Sequence, residues 1–290
     1  MQAPRAGKAT RDLFALAVAC ALLVGLLYLF FVCTRLGQRI DDAAVDGRST
    51  LTPEEVQDAD DLLQTVDITS LVFLGGAVAF VAVVRGRLLL GAAALGVIGA
   101  ANVSSQVVKA LLPRSDLTGE PELVIGNSLP SGHTTVAASI AVAAILVAPR
   151  RLRGPIAVVG AVYAAAVGVA TLTAGWHRPS DAVAAFAVVV AWGAAAALFI
   201  SAERPGASRF SARTASPVAT PLLVSLGVGL SAAAFTGLVA VLAARRLGRL
   251  DAIDLGQAYA GATVAITGSA LLLVGLLLAA LRPVGLDVSR

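Results

Sequence analysis

The chain's two histidines, His133 and His177, each occupy a short polar break between long apolar runs. One break reads Asn127-Ser-Leu-Pro-Ser-Gly-His133 and the other Gly175-Trp-His-Arg-Pro-Ser-Asp181, so both imidazoles are surrounded by turn formers, hydroxyls and charge. His177 and Asp181 are four residues apart with Pro179 between them. A helix starting near Pro179 carries Asp181 in its first turn, where the carboxylate can accept a hydrogen bond from the imidazole. That contact fixes the tautomer and supports the positive charge that develops when histidine attacks an electrophile. A second helix is predicted to open at Ser131-Gly132-His133, just after Pro130. Ser131 would cap it, and its exposed N–H groups and positive dipole end offer a site for an anion. Gly132 lets an oxyanion approach the backbone closely. His133 would then lie beside a bound phosphate and give a proton to a leaving oxygen.

Lysine occurs at Lys8 and Lys109 only. Lys109 ends an apolar run and is followed by Leu-Leu-Pro-Arg114-Ser-Asp116. It has two readings, a cation that snorkels to a membrane interface or one that holds an anion. Cations, a helix N-terminus, a proton donor and a supported nucleophile together meet the needs of phosphoryl transfer through a covalent phosphohistidine, where positioning and charge neutralisation supply most of the catalysis.

The elements that must position these groups are membrane helices. The chain is 58% hydrophobic and 14% charged, with a mean hydropathy of +0.85, which excludes an ordinary soluble domain. Runs long enough to approach the roughly 20 residues of a span occur at about 13 to 33, 69 to 84, 88 to 108, 132 to 148, 155 to 175, 181 to 200, 218 to 243 and 258 to 281. They lack the alternation of a membrane β-barrel. The expected fold is therefore all-α, a polytopic transmembrane bundle of eight helices. The first run, preceded by Arg5, Lys8 and Arg11, reads as a retained helix rather than a cleaved signal. Cys20 and Cys33 both fall within it and imply neither a disulfide framework nor a metal site. Gly261, Gly268 and Gly275 recur every seven residues in the last run and predict close helix approach.

The expected organisation is a cytoplasmic tail (1–12), a six-helix membrane domain (13–200), a basic cytoplasmic linker (201–217) and two further helices with a short tail (218–290). Positive charge in short loops sets the orientation. With the N-terminus in the cytoplasm, Arg85 and Arg87, then Arg150, Arg151 and Arg153, then Arg204, Arg209 and Arg213 fall inside; Arg245, Arg246 and Arg249 break the pattern. The segment from Arg35 to Asp67 is then extracytoplasmic. It carries nine acidic residues against three arginines and reads as a solvated face, with a short helix begun by the capping box Thr52-Pro-Glu-Glu55. Lys109 to His133 and the His177 break emerge on that same outer side.

These motifs resemble those of the type 2 phosphatidic acid phosphatase family of membrane lipid phosphatases, over about residues 68 to 200, with the first helix completing six. Pro130-Ser131-Gly132-His133 matches the second family motif in full, His177 and Asp181 keep the nucleophile and its partner in the third, and Lys109 keeps the first-motif lysine. The resemblance implies that Ser131, Gly132 and Lys109 hold phosphate and that His133 is the general acid. It departs at two places, where the family has arginine and this chain has Asp116 and Thr171. Arg114 and Arg178, which flank motif residues, are the candidates to replace that charge.

The expected function is a metal-independent phosphohydrolase in the cell membrane, acting on a lipid phosphate or diphosphate at the extracytoplasmic face. No cofactor, metal or nucleic acid is implied; the partners are the bilayer and the lipid substrate. Two alternatives stay open: a phosphoryl transferase for envelope lipids or glycans, and a degenerate protein that binds or transports lipid phosphate.

Overall fold

In the computed structural model the described residues are 4–119, 124, 126–203, 218–246 and 254–284. The arginines expected at 204, 209, 213 and 249, and most of the 201–217 linker, lie outside them, as do the side chains of Arg245 and Arg246. The described chain is a helical bundle. Its ten α-helices are α1 (Pro4–Leu27), α2 (Arg35–Asp46), α3 (Pro53–Gln64), α4 (Ile68–Val84), α5 (Leu88–Leu111), α6 (Gly132–Val147), α7 (Arg150–Thr173), α8 (Pro179–Glu203), α9 (Ala219–Arg246) and α10 (Leu255–Leu281). A π-helical turn, Tyr28–Val32, extends α1, and a 3-10 turn, Gly47–Thr50, follows α2.

All eight apolar runs form helices, but six of them are long and apolar enough to cross a membrane alone. The exceptions are α4 and α6, which fall short by length. With 17 and 16 residues, α4 and α6 are about 26 and 24 Å long at 1.5 Å per residue, short of a roughly 30 Å hydrocarbon core. Joined to α3 across a 53° bend, α4 passes as a broken span. In α6 the apolar run yields to the Ser131 cap, whose hydroxyl accepts from Thr134 N at 3.4 Å. A further difference is at α7, which starts at Arg150 and carries Pro155 inside its second turn.

The bundle centres on α5 to α8, with α1 packed on α8 and α4 on α5 and α6. Alanine is dense at these contacts: Ala94, Ala101, Ala137, Ala157, Ala161, Ala184 and Ala187 are fully buried, and such small residues let helices approach closely where no water drives association. The outward faces carry Phe14, Leu22, Phe73, Phe80 and Phe235, each more than 60% exposed, as lipid-facing side chains should be. The last two helices pair with each other, and α10 also packs on α7 and α8. Gly268 and Gly275 face α9 as their spacing predicted, whereas Gly261 has open space beside it.

The largest departure is the segment from Arg35 to Asp67. The capping box at Thr52 and Glu55 forms and starts α3, but the stretch before it is an amphipathic helix rather than a solvated loop. Thr34 caps α2 by accepting from Gly37 N. Gly37 lies so close to the π-helical turn that a Cβ there would fall 2.0 Å from Phe30 O, which lets α2 fold back over the bundle end. Gln38 and Asp41 are buried to within 1%.

Candidate active site

The close of α5, the opening of α6 and the turn between α7 and α8 meet at one end of the bundle, beneath α2. Ser131 N donates to Asp181 O at 2.9 Å, tying the two motif turns directly. The Ser131 cap is itself held from below: Thr134 donates its hydroxyl to Ser131 Oγ at 2.9 Å, Thr135 donates to Ser131 O at 2.7 Å, and Ser105 of α5 meets Thr135 Oγ1 at 2.9 Å. Motif two is thus fixed to both neighbouring helices.

The histidine–aspartate pair forms at helical spacing. His177 Nδ1 lies 3.2 Å from Asp181 Oδ2. That oxygen also accepts from Ser128 Oγ at 2.5 Å and Arg178 N at 3.0 Å. Asp181 is 1% exposed, and a buried carboxylate ringed by donors stays an acceptor. Nδ1 therefore carries the proton, and Nε2 is the nitrogen with a lone pair. The backbone holds the ring in place: His177 N and Trp176 N both donate to Thr171 O, at 3.1 and 3.0 Å.

His133 stands across from this pair, its ring 5.1 Å from that of Trp176, and it interacts electrostatically with His177 and with Lys109. Lys109 Nζ comes within 3.6 Å of where a Cβ on Gly132 would be. Its half-buried ammonium forms no hydrogen bond with any described residue. Two histidines, a lysine, a glycine N–H and a helix N-terminus thus converge, which is the arrangement an oxyanion requires. Among the described residues, no group of three His, Cys, Asp or Glu side chains is placed to hold a metal ion.

The two arginines singled out from sequence lie nearby, but both turn toward α2. Arg178 is 1% exposed; its Nε donates to Asp42 Oδ1 at 2.8 Å and its other nitrogens donate to Val124 O, Gly126 O and Ser128 Oγ. The Arg114 guanidinium pairs with the same carboxylate at 3.5 Å and donates to Phe31 O at 3.4 Å. Both bind protein acceptors, and through Asp42 they join the loop after α5 to the start of α8. Asp116 and Thr171, at the two departures, are likewise spent on local structure. The Asp116 carboxylate accepts from Thr118 N and Gly119 N in an exposed turn, which holds it below the usual carboxylate range. Thr171 is buried and donates its hydroxyl to Gly168 O at 2.8 Å.

Sequence reasoning missed the supporting carboxylates of α2. Asp41 accepts from Ser180 N at 3.2 Å and from the Ser180 hydroxyl, capping the first turn of α8 from outside. Burial pushes its pKa up to about 8, helped by the nearby Asp181 charge and opposed by the Ser180 hydrogen bonds and Arg114. Burial thus favours the neutral form of Asp41 beside the Asp181 carboxylate. Gln38 binds Val32 O, Ser115 O and Leu117 N, holding the loop after α5. The signal available in the sequence was the three-residue spacing of Gln38 and Asp41 on one helix face.

Residues 86–205 match the family model of the PAP2 superfamily. Neither the curated proteins nor the solved structures gave a match to the chain. The matched segment holds α5 to α8 and all of the motif residues above. The α5 to α8 core is thus similar to the PAP2 superfamily, a likeness that supports a phosphatase-type activity.

Proposed function

We propose that the chain is a metal-independent phosphohydrolase of a lipid phosphate or diphosphate, working through a phosphohistidine at the extracytoplasmic face of the cell membrane. The observation that carries this reading is the His177 ring, oriented through Nδ1 by Asp181, with His133 and Lys109 gathered on its other side. Nε2 of His177 attacks phosphorus, the P–O bond to the lipid breaks, and His133 gives the departing oxygen a proton. Water then attacks the phosphohistidine as His133 takes its proton back; the P–N bond breaks, its electrons return to Nε2, and inorganic phosphate leaves. Lys109, Ser131 and the N–H groups opening α6 neutralise the equatorial oxygens.

The outward placement is supported by charge. Arg85, whose guanidinium bonds Val147 O, and Arg150, which bonds Arg282 O, mark the bundle end opposite the site. Arginines in short loops favour the cytoplasm, while the acidic α2 and α3 cover the site end. Lipid tails would stay among the apolar helix faces.

A second reading, a protein that binds lipid phosphate without turnover, is favoured by one observation: Arg114 and Arg178 are committed to Asp42. Phosphate release by the detergent-purified protein, from a panel of lipid phosphates and diphosphates with excess chelator, separates the two. Hydrolysis of at least one lipid at an undiminished rate in chelator is expected. Loss of activity on chelation would contradict metal independence, and silence across the panel would favour the binding protein.

A further inference from the structure

Arg48 is a cation that the site so far leaves unused. It sits in the 3-10 turn after α2, outside the segment matched to the family. Its Nε donates to Thr173 O at 3.1 Å, across 125 residues of sequence. Its guanidinium lies against Gly175, two residues before His177: a Cβ built on Gly175 would fall 2.6 Å from Nη1 and 3.0 Å from Cζ. Gly175 has φ +74°, a conformation glycine adopts without strain, and its missing side chain is what admits the arginine. Arg48 is only half-buried, and among the described residues it has no carboxylate partner and no acceptor besides Thr173 O.

Its position is fixed from the far side by α10. Gly47 packs so tightly on that helix that a Cβ would lie 2.2 Å from Leu255 O, and Tyr259 of α10 shares a hydrogen bond with Thr173 at 2.7 Å. The helices beyond the matched segment thus hold one corner of the site. With Nε anchored, the terminal nitrogens are left for another acceptor. The two arginines nearest in sequence to the motifs are bound to Asp42, so among the described residues Lys109 and Arg48 are the cations near the motif turns that form no ion pair with a carboxylate.

We propose that Arg48 binds the phosphoryl group, supplying a guanidinium contact opposite Lys109 at the His177 turn. This rests on the reading of the site as one for phosphate. A planar guanidinium pairs with two phosphoryl oxygens at once, which an ammonium cannot do.

The test uses the full-length protein in detergent, with inorganic phosphate as the probe, measured by calorimetric titration and as an inhibitor of turnover. Arg48→Gln keeps a donor for Thr173 O but removes the charge; Arg48→Lys keeps the charge but loses the fork. We expect Arg48→Gln to weaken phosphate binding and raise KM roughly 10- to 100-fold, with its thermal midpoint unchanged, and Arg48→Lys to recover part of the loss. Wild-type phosphate affinity in Arg48→Gln would overturn the proposal, even if Arg48→Ala were unstable, because the role would then be to hold Thr173. A wild type that hydrolyses no lipid yet binds phosphate through Arg48 would sink the hydrolase reading and leave this one standing. A wild type without phosphate affinity would overturn this one.

Discussion

Replacing His177 with alanine is expected to lower kcat by at least about four orders of magnitude, because the variant lacks the nitrogen proposed to attack phosphorus. Knocking out a group that acts as part of a catalytic unit typically costs about that much or more, the residual rate coming from binding and charge stabilisation alone. The fold should tolerate the change. Among the described residues the ring makes one hydrogen bond, and Asp181 keeps Ser128 and the Arg178 N–H as donors when it is gone. Initial rates of phosphate release at saturating lipid, beside a thermal midpoint near that of the wild type, provide the check. A well-folded variant within tenfold of the wild-type rate would mean that His177 is not the nucleophile.

Asp181→Asn should come next in size, with kcat falling roughly 10³- to 10⁴-fold and KM changing little. The loss follows from the tautomer. An amide nitrogen turned toward Nδ1 donates instead of accepting, which drives the proton to Nε2 and removes the attacking lone pair; in serine hydrolases the corresponding change costs about 10⁴. No phosphate contact is lost, since the Asp181 carboxylate faces Ser128, His177 and the Arg178 N–H. The split between kcat and KM is the useful readout. A variant with raised KM and normal kcat would assign Asp181 to substrate binding and overturn its role behind His177.

The parts of the molecule legible in the sequence were those with a short-range signature. Long apolar runs gave the positions of the eight bundle helices, and four-residue spacing gave the His177–Asp181 contact. Ser131 could be read as a cap from its place before an apolar run. Helix ends were less legible: α7 begins five residues before Pro155, within the polar stretch Arg150 to Arg153 that lies outside the apolar run. What escaped altogether was α2, which is too polar to resemble a span and too short for its periodicity to stand out. Without it the fates of Arg114 and Arg178 could not be foreseen. Arg178 finds Asp42 across 136 residues, and nothing local distinguishes an arginine facing a substrate from one facing a carboxylate.

That distribution says where specificity can vary. The core α5 to α8 carries the motif residues, whereas α2, the turn at Arg48 and α10 lie outside the matched segment and pack beside it. Asp41 holds Ser180 and Asp42 gathers two arginines, so the segment that looks like an acidic surface loop in the sequence orders both motif turns.

The proposed mechanism requires a covalent bond between phosphorus and His177. The measurement that reaches it most directly is a rapid acid-free quench of the purified protein during turnover of a phosphorus-labelled lipid phosphate, followed by peptide mass spectrometry. A phosphoryl group is expected on the peptide containing His177, stable to alkali, labile to acid and missing from the His177→Ala protein. Turnover by the wild type with no label at His177, or with label at His133 instead, would contradict it.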